Sequence, residues 1–346
     1  MGAGVRSVID IGSNSIKLRV ARCPAGRIEV LLDTTEVVRL GRRTADGRLR
    51  EEAIRNGARV VEEMVRRSRE MGAEPCLVGT MALRVAGNAQ DFLREILGRT
   101  GLEVRILSGE EEARLAWRGA LDGSDEGGPF AVFDTGGGST EFVFGASRGA
   151  PPGGATRSES VAVGAVTLTE RFFAADPPAP ESLDLALRHV RNLFLCSKIE
   201  WADPSRPPSV IGLGGGVVAM ASVKLGLPGF APLRLNGAEL TRGDVEGQMR
   251  RYAAATLEER RRIRGLPASR ADLILASSCI VLCALEALGA ESFTVSINGL
   301  RHGLLVQMFE SDGLLHSDGL PRPCAAASPS GAGSGGEDDC ERKAAK

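Results

Sequence analysis

The chain has 346 residues, which is enough for two domains of ordinary size. Its 43% hydrophobic and 25% charged residues exclude a fully disordered or collagen-like protein. Because 43 basic residues nearly balance 44 acidic ones, the net charge is −1 and no overall field favours nucleic acid as a partner.

The first third of the chain predicts strands interleaved with helices. The β-branched run Val5–Ile11 predicts a strand that ends at Gly12. Apolar residues at helical spacing predict a helix over Glu51–Met71. Ser108 and Glu111 form a capping box, which predicts the start of a later helix. Further strands are predicted at Ile16–Ala21, Ile28–Leu32, Pro75–Gly79 and Val104–Leu107, and further helices near Ala89–Leu97 and Glu110–Ala120.

A segment rich in glycine and acidic residues, Asp122–Pro129, is the predicted junction between two domains, over residues 1–124 and 125–299. Residues 311–346 are dominated by Ser, Gly, Pro, Ala and charge without periodicity, so we predict a disordered tail there. After the junction, strands are predicted at Phe130–Phe133, Thr140–Gly145, Ser160–Val163, Ser209–Leu213 and Ser292–Ser296. Helices are predicted near Ser182–Ile199, Asp244–Arg264, Asp272–Leu288 and in a stretch ending near Glu310.

Cysteine and histidine usage argues against disulfides and structural zinc. The seven cysteines are odd in number and widely spaced, no CxxC pair occurs, and there are three histidines. The longest uncharged apolar run, Leu273–Leu285, is shorter than the roughly 20 residues that a membrane span needs. The N-terminus shows no basic region followed by an apolar stretch. By elimination, we expect a reduced, cytoplasmic protein with no membrane partner.

An internal repeat carries most of the functional information. Asp10-Ile-Gly-Ser-Asn-Ser15 and Asp134-Thr-Gly-Gly-Gly-Ser139 coincide at an offset of 124 residues, each between two predicted strands. Glycine and small hydroxyl residues let backbone N–H groups converge on an anion. One copy alone would favour a simple hairpin turn. Two copies in register favour two similar domains that bind phosphate between them, through Ser13, Asn14, Ser15, Gly136, Gly137, Gly138, Ser139 and Thr140.

A third glycine cluster, Gly212-Leu-Gly-Gly-Gly216, offers backbone amides but no hydroxyl groups. Arg270 and Asp272 are predicted to form a structural pair near a helix start. Lys17, Arg84 and Arg301 are the basic residues that could follow a polyanion along a groove.

Six motifs follow one another along the chain. They are Val8-Ile-Asp-Ile-Gly-Ser-Asn-Ser15, Gly79-Thr-Met-Ala-Leu-Arg84, Ile106-Leu-Ser-Gly-Glu-Glu-Glu-Ala-Arg114, Asp134-Thr-Gly-Gly-Gly-Ser-Thr-Glu141, Val163-Gly-Ala-Val-Thr-Leu168 and Gly299-Leu-Arg-His-Gly303. In this order they resemble the exopolyphosphatase/guanosine pentaphosphate phosphohydrolase (Ppx/GppA) family of the actin-like ATPase superfamily. The resemblance extends over about Val5–Glu310.

The resemblance implies an α/β fold of two ribonuclease H-like domains with a cleft between them, and a last helix, about 300–310, that packs on the first domain. It implies that Glu112 is the catalytic carboxylate and that Arg84 contacts the phosphate chain. It also implies that Asp10, Asp134 and Glu141 surround a site for Mg²⁺ or another divalent cation. The expected substrate is inorganic polyphosphate or guanosine pentaphosphate; a homodimer is one assembly left open.

Two positions depart from the family pattern: Gly216 replaces a common hydroxyl residue, and His302 stands where many members have glutamate. The C-terminal domain of the long family members is expected to be absent, which makes this a short, two-domain form.

Other readings stay open beside exopolyphosphatase activity. Glu110–Glu112 could simply favour the dipole at a helix start. A guanosine pentaphosphate 5′-phosphohydrolase and a non-catalytic alarmone-binding protein are alternatives within the resemblance. A sugar or acetate kinase would share the fold but lacks the match at Ser108–Arg114.

Overall fold

The structure is a computed structural model and describes residues 4–42, 47–122, 128–145, 155–200 and 207–315. Its first lobe is built on a five-stranded mixed sheet. The elements of this lobe are β1 (Val5–Ile11), β2 (Ser15–Arg22), β3 (Glu29–Val37), α1 (Glu51–Glu70), β4 (Pro75–Gly79), α2 (Met81–Arg84), α3 (Ala89–Thr100) and β5 (Val104–Ile106). The strand order is β3-β2-β1-β4-β5. Strand β2 is antiparallel to both of its neighbours, β1 and β3, whereas β4 and β5 run parallel to β1.

The second lobe repeats this plan on a six-stranded sheet. Its strands are β6 (Phe130–Thr135), β7 (Thr140–Gly145), β8 (Ala155–Val161), β9 (Ser209–Leu213), β10 (Glu239–Thr241) and β11 (Ser292–Val295). Its helices are α5 (Ala165–Phe172), α6 (Pro180–Cys196), α7 (Gly215–Lys224), α8 (Pro232–Leu235), α9 (Arg242–Ala254), α10 (Leu257–Arg261) and α11 (Ile274–Leu288). The strand order is β10-β11-β9-β6-β7-β8, so β6 occupies the place that β1 has in the first sheet.

Two helices, α4 (Gly109–Ala120) and α12 (Leu300–Ser311), lie between the sheets. Ala116 and Trp117 of α4 pack on the second sheet, whereas Leu115 joins α12 in the core against β1. A Cβ added to Gly303 would overlap the carbonyl oxygen of Leu115, so this glycine permits the close crossing of the two helices. The last helix therefore packs on the first lobe, as the resemblance implied, while α4 belongs to the cores of both lobes.

The apolar run that was too short for a membrane span forms the centre of the second lobe. Helix α11 is buried along almost its whole length, because other helices and the sheet cover it on all sides. Among the described residues, no helix is long and apolar enough to cross a membrane.

Two predicted elements differ from the observed ones for local reasons. The predicted helix over Asp244–Arg264 is divided into α9 and α10, because Thr256 accepts a hydrogen bond from the Glu259 N–H and caps a new helix. Strand β3 continues beyond the predicted Leu32 to Val37, since antiparallel pairing with β2 extends the strand into a polar stretch.

The start of the predicted disordered tail is corrected by the structure. Asp312 accepts a hydrogen bond of 2.9 Å from Nε of Arg6, and Leu315 is buried in the core around β1. Residues 311–315 are thus packed on the first lobe, because they complete its apolar core. The rest of the predicted tail, and residues 123–127 of the predicted junction, lie outside the described residues, and the predicted domain limits stay predictions.

Candidate active site

The two repeated loops have the same backbone turn. The Gly12 N–H donates to the Ser15 carbonyl over 3.1 Å, and the Gly136 N–H donates to the Ser139 carbonyl over 2.9 Å. The strands that they join also share a register: Asp10 faces Lys17 across β1 and β2, and Asp134 faces Glu141 across β6 and β7. The sequence repeat is therefore a structural repeat. The two copies differ in the residue opposite the aspartate, which is a lysine in the first lobe and a glutamate in the second.

The two loops meet in the cleft between the lobes. A Cβ at Gly137 would lie 3.0 Å from the Ser13 Cβ and 3.3 Å from the Asn14 nitrogen. The second loop is held from behind, because the Ala165 N–H donates to the Gly136 carbonyl over 3.0 Å. A side chain at Gly164 would overlap the loop backbone. Close approach of backbone to backbone thus explains why glycine occurs on both sides of this contact.

A cavity of about 640 Å³ lies between the lobes and is lined by most of the predicted site residues. The predicted residues that line it are Asp10, Ser13, Asn14, Ser15, Glu112, Asp134, Gly136, Gly137, Gly138, Ser139 and Glu141. The structure therefore brings together both loops, the predicted catalytic glutamate and the predicted metal ligands.

Thr140 and Arg84 do not line this cavity. Thr140 is fully buried, and its hydroxyl donates to the Val163 carbonyl over 2.7 Å. The Arg84 guanidinium donates to the Leu107 carbonyl over 2.6 Å and forms an ion pair with Glu112. Thr140 thus secures the loop from behind and Arg84 holds the glutamate, and phosphate binding by these two residues stays a prediction.

Glu112 lies in the first turn of α4 and lines the cavity. Ser108 Oγ accepts from the Glu111 N–H over 3.1 Å, while Glu111 accepts from the Ser108 N–H over 2.9 Å, so the predicted capping box is confirmed. Burial and the negative charge of Glu141 raise the pKa of Glu112 to about 8, although the contact with Arg84 lowers it. A carboxyl group that exchanges its proton near neutral pH suits general acid–base chemistry.

Three further carboxylates surround the loops. Burial raises the pKa of Asp134 to about 6 and that of Glu141 to about 7. The Ser160 hydroxyl donates to Glu141 over 3.0 Å and opposes this rise. Asp10 Oδ1 is buried without a hydrogen-bond partner, and Oδ2 lies 3.8 Å from Lys17 Nζ. The site therefore contains an acceptor oxygen that could receive a cation.

The carboxylates do not form a closed metal cage. Within the part of the chain that the structure describes, no group of three His, Cys, Asp or Glu side chains is close enough to hold one ion. Mg²⁺ is commonly held by one or two carboxylates together with water and substrate phosphate. The buried acceptor of Asp10 and the nearby Asp134 fit this open mode of binding.

The basic residues of the cleft differ in their freedom to bind an anion. Arg301 donates to Asp33 over 2.6 Å, a carboxylate that it shares with Arg19. Arg270 lines the cavity beside Gly215 and has no hydrogen-bond or ion-pair partner among the described residues. Burial lowers the pKa of Arg270, and the negative charge of Asp272 opposes that effect, so the predicted charge interaction is present. The direct ion-pair contacts of Asp272 are made with Arg39 and Arg42. Sequence proximity alone suggested that pair, and no local pattern indicated the cavity.

The third glycine cluster also reaches the cavity, at the start of α7. Gly214 has a φ of +111°, and a Cβ there would overlap the Thr135 carbonyl. A side chain at Gly216 would overlap Ser277, so the departure from the family pattern at Gly216 makes room for a hydroxyl group from α11. His302, the other departure, contacts Asp122 over 2.7 Å and does not line the cavity.

The sequence profile of the Ppx/GppA phosphatase family matches residues 19–312. The chain belongs to this family. Its membership confirms the expected class of hydrolase, and the kinase alternative loses its support.

Two proteins that carry the names of Ppx/GppA activities are similar to this chain over most of its length. Exopolyphosphatase 2 of Mycobacterium tuberculosis is 28% identical over 323 residues, which cover 87% of this chain and 98% of that protein. The guanosine-5′-triphosphate,3′-diphosphate pyrophosphatase of Photobacterium profundum is 28% identical over 309 residues, or 87% of this chain; the chain spans 59% of that protein.

The fold is that of the solved Ppx/GppA proteins. The crystal structure of the Aquifex aeolicus family member has 31% sequence identity and a TM-score of 0.73, with 89% of this chain and 98% of that chain covered. The expected α/β architecture, two ribonuclease H-like domains around a cleft, is thereby confirmed.

Proposed function

We propose that this Ppx/GppA phosphatase hydrolyses the terminal phosphoanhydride bond of inorganic polyphosphate and releases orthophosphate. The observation that carries the proposal is the place of Glu112, a buried carboxyl group in the same cavity as two phosphate-type loops. The matches to an exopolyphosphatase and to a guanosine nucleotide pyrophosphatase support this reaction class.

The loops provide the groups that a terminal phosphoryl needs. Backbone N–H groups and the hydroxyls of Ser13, Ser15 and Ser139 line the cavity and can donate to its oxygens. Glu112 accepts a proton from the attacking water, and its ion pair with Arg84 fixes the direction of the carboxylate. Water oxygen bonds to the terminal phosphorus as the bridging P–O bond breaks, and the shortened chain leaves.

Asp10 and Asp134 would hold a divalent cation, which, when bound, neutralises charge on the transferred phosphoryl oxygens. Lys17 and Arg270 also line the cavity, where they can bind phosphates of the chain. Burial lowers the pKa of Lys17, Asp10 opposes that effect, and the charges of Arg301 and Arg270 add to it. This mutual influence indicates that these cations lie in one region of the cavity, together with the carboxylates of Asp10 and Asp134.

The test is release of orthophosphate from polyphosphate of defined length by the purified protein, with and without Mg²⁺ or a chelator. We expect release that requires the divalent cation. If polyphosphate binds with the cation present but no phosphate appears, a binding function replaces the hydrolytic one.

A second candidate substrate is guanosine pentaphosphate, and the apolar wall of the cavity favours it. Val218, Leu227, Leu266 and Phe230 line the part of the cavity beyond the third loop, and Phe230 is 61% exposed. A polyphosphate chain does not use such a wall, whereas a purine base can stack on an aromatic ring. Phe230→Ala would weaken guanosine pentaphosphate hydrolysis and leave tripolyphosphate hydrolysis unchanged if the nucleotide is the substrate.

The location and the assembly of the protein are also proposals. We propose a cytoplasmic protein, which cell fractionation tests. The assembly stays open between a monomer and a homodimer, which light scattering of the purified protein distinguishes.

A further inference from the structure

Three charged side chains join the two lobes. Asp272 Oδ2, at the end of the segment before α11, accepts from Arg39 Nη2 over 2.9 Å and from Arg42 Nη2 over 3.4 Å. The two arginines follow β3 in the first lobe, whereas Asp272 belongs to the second. We call Arg39, Arg42 and Asp272 the clasp.

On the first lobe, the clasp is attached directly to the first phosphate loop. The Val38 and Arg39 N–H groups donate to the Asn14 carbonyl over 3.0 and 2.8 Å, and the Gly41 N–H donates to the Ser13 carbonyl over 2.6 Å. Arg39 has a φ of +60°, which residues other than glycine rarely adopt. The backbone is thus held in an uncommon conformation that ties the clasp arginines to Ser13 and Asn14.

On the second lobe, the clasp is adjacent to Arg270, a cation that lines the cavity. Asp272 follows Arg270 by two residues, and the Arg270 guanidinium lies beside Gly215 of the third loop. Any movement of Asp272 relative to Arg39 and Arg42 therefore changes the spacing between the first phosphate loop and Arg270.

We propose that Asp272 is a positioning residue that, through the clasp, holds the two lobes closed around the substrate. The proposal rests on the proposed function, because the substrate is what the closed cleft retains. One carboxylate shared by two arginines gives charge-assisted contacts. The side chains of Arg39, Arg42 and Asp272 are 37%, 41% and 16% exposed, so water and salt weaken each contact and the cleft can open.

The main test compares Asp272→Asn, the double variant Arg39→Gln/Arg42→Gln, and the triple variant that combines them. We expect KM for polyphosphate to rise about tenfold in each, with a smaller change in kcat, because Glu112 and Arg84 do not contact the clasp. We expect the triple variant to have the same KM as Asp272→Asn, since the single substitution already removes the interaction between Asp272 and the two arginines. An unchanged KM in Asp272→Asn, or additive losses in the triple variant, would overturn the proposal.

Glu286→Gln is the matched control. Glu286 accepts from Arg191 over 2.7 Å and from Arg242 over 3.5 Å, so it is also one carboxylate shared by two arginines. All three of these residues lie in the second lobe, and we expect Glu286→Gln to leave KM unchanged. An equal rise in KM in the control would show that the clasp variants act through general loss of charge pairs.

Small-angle X-ray scattering of the ligand-free full chain tests closure without reference to activity. We expect a larger radius of gyration for Asp272→Asn and for Arg39→Gln/Arg42→Gln than for the wild type and Glu286→Gln. Identical scattering of all four overturns the clasp, whatever KM does. If the wild type releases no phosphate from polyphosphate, the proposed function fails, but the scattering experiment still tests the clasp. Melting curves identify any variant that does not fold. If Asp272→Asn does not fold, the double variant Arg39→Gln/Arg42→Gln, which is changed at exposed positions, replaces it.

Discussion

At the scale of single residues, the position of Glu112 is compatible with two roles, a carboxylate that stabilises the start of a helix and a carboxylate that takes part in catalysis. Its place in the first turn of α4 suits any carboxylate, because the helix dipole favours negative charge there. Its neighbour Glu110 is exposed and fits that description fully. Glu112 is instead buried in the cavity with Arg84 against it, which a dipole interaction alone does not require.

Exchanging each glutamate for glutamine separates the two roles. We expect Glu112→Gln to lower the rate of phosphate release by about 10²-fold or more, because the amide cannot accept the proton of water. Glu110→Gln, the control from the same helical turn, would retain nearly the full rate. Steady-state rates of both variants under identical conditions check this, and near wild-type turnover in Glu112→Gln would remove the catalytic assignment.

The raised carboxyl pKa values predict the pH dependence of the reaction. Since Glu112 acts in its ionised form and its pKa is about 8, kcat/KM should rise with pH towards that value. Glu141 contributes to the raised pKa through its negative charge, so Glu141→Gln should move the rising limb to lower pH, whatever its effect on the maximum rate. A pH profile of kcat/KM for both proteins measures the shift. If the rising limb of the Glu141→Gln profile stays at the same pH as that of the wild type, Glu141 does not raise the pKa of the catalytic group.

The same pKa predicts a stability effect. A carboxyl group whose pKa is raised on folding stabilises the protein at low pH, and this contribution is lost as pH rises towards 8. Glu112→Gln should therefore unfold at higher denaturant concentration than the wild type at pH 8, by about 1–2 kcal/mol in free energy of unfolding. At pH 4 the two proteins should be alike. A variant that is less stable than the wild type at pH 8 would show that the glutamate stabilises the fold.

At the scale of elements, each strand–turn–strand unit needs a neighbour to shape its loop. The second loop receives hydrogen bonds from Ala165 and Val166, over 3.0 and 2.8 Å, at the start of α5. Gly164 permits this contact because it has no Cβ. The motif that contains Gly164 thus supports the second loop from behind.

Gly164→Ala tests this support. The added methyl group would overlap the backbone of the second loop, so we expect a rise in KM for polyphosphate of about tenfold or more and lower stability. Gly247→Ala is the control, because nothing lies within 4 Å of a Cβ at that position of α9. Wild-type kinetics in Gly164→Ala would mean that the loop tolerates displacement.

At the scale of the whole molecule, the chain end closes the core of the first lobe. Truncation after Glu310 removes the buried Leu315 and the Asp312 contact with Arg6, so we expect a loss of about 2 kcal/mol in the free energy of unfolding. Truncation after Leu315 retains both and should unfold like the full chain, since the sequence beyond it lacks apolar periodicity. Denaturant titrations of the two truncated proteins provide the comparison, and equal stability would refute the packing role of residues 311–315.

The charges of the cleft also predict how substrate affinity depends on salt and chain length. Arg84 and Arg301 form short contacts with carboxylates, Lys17 lies 3.8 Å from Asp10, and all the described direct ion-pair contacts of Asp272 are with arginines other than Arg270. We therefore expect Lys17 and Arg270 to be the main cations for a polyanion. Affinity should fall as salt rises, because counterions screen these contacts, and should level off at short chain lengths. Inhibition constants for chains of increasing length at two salt concentrations measure both effects. Affinity that continues to climb with very long chains would contradict a short groove.

Local sequence determined those features that depend on neighbours along the chain. The repeat at Asp10 and Asp134 predicted two equivalent turns, because a glycine-containing turn between β-branched runs needs only local hydrogen bonds. Ser108 and Glu111 predicted a helix start for the same reason, and the family motifs located Glu112. These predictions agree with the structure because backbone propensity and packing favour the same conformation there.

Tertiary structure alone decided which side chains meet. Arg84 pairs with Glu112, Arg270 lies beside Gly215, and Asp272 contacts two arginines of the other lobe. Each contact joins residues whose separation in sequence carries no periodic signal. The burial of Glu112 and Glu141 against one another likewise arises only when the two sheets face a common cleft. Proton affinity and charge pairing depend on distance and solvent in three dimensions. For that reason the sequence could only propose the residues of the site, whereas the fold determines their ion pairs and proton affinities.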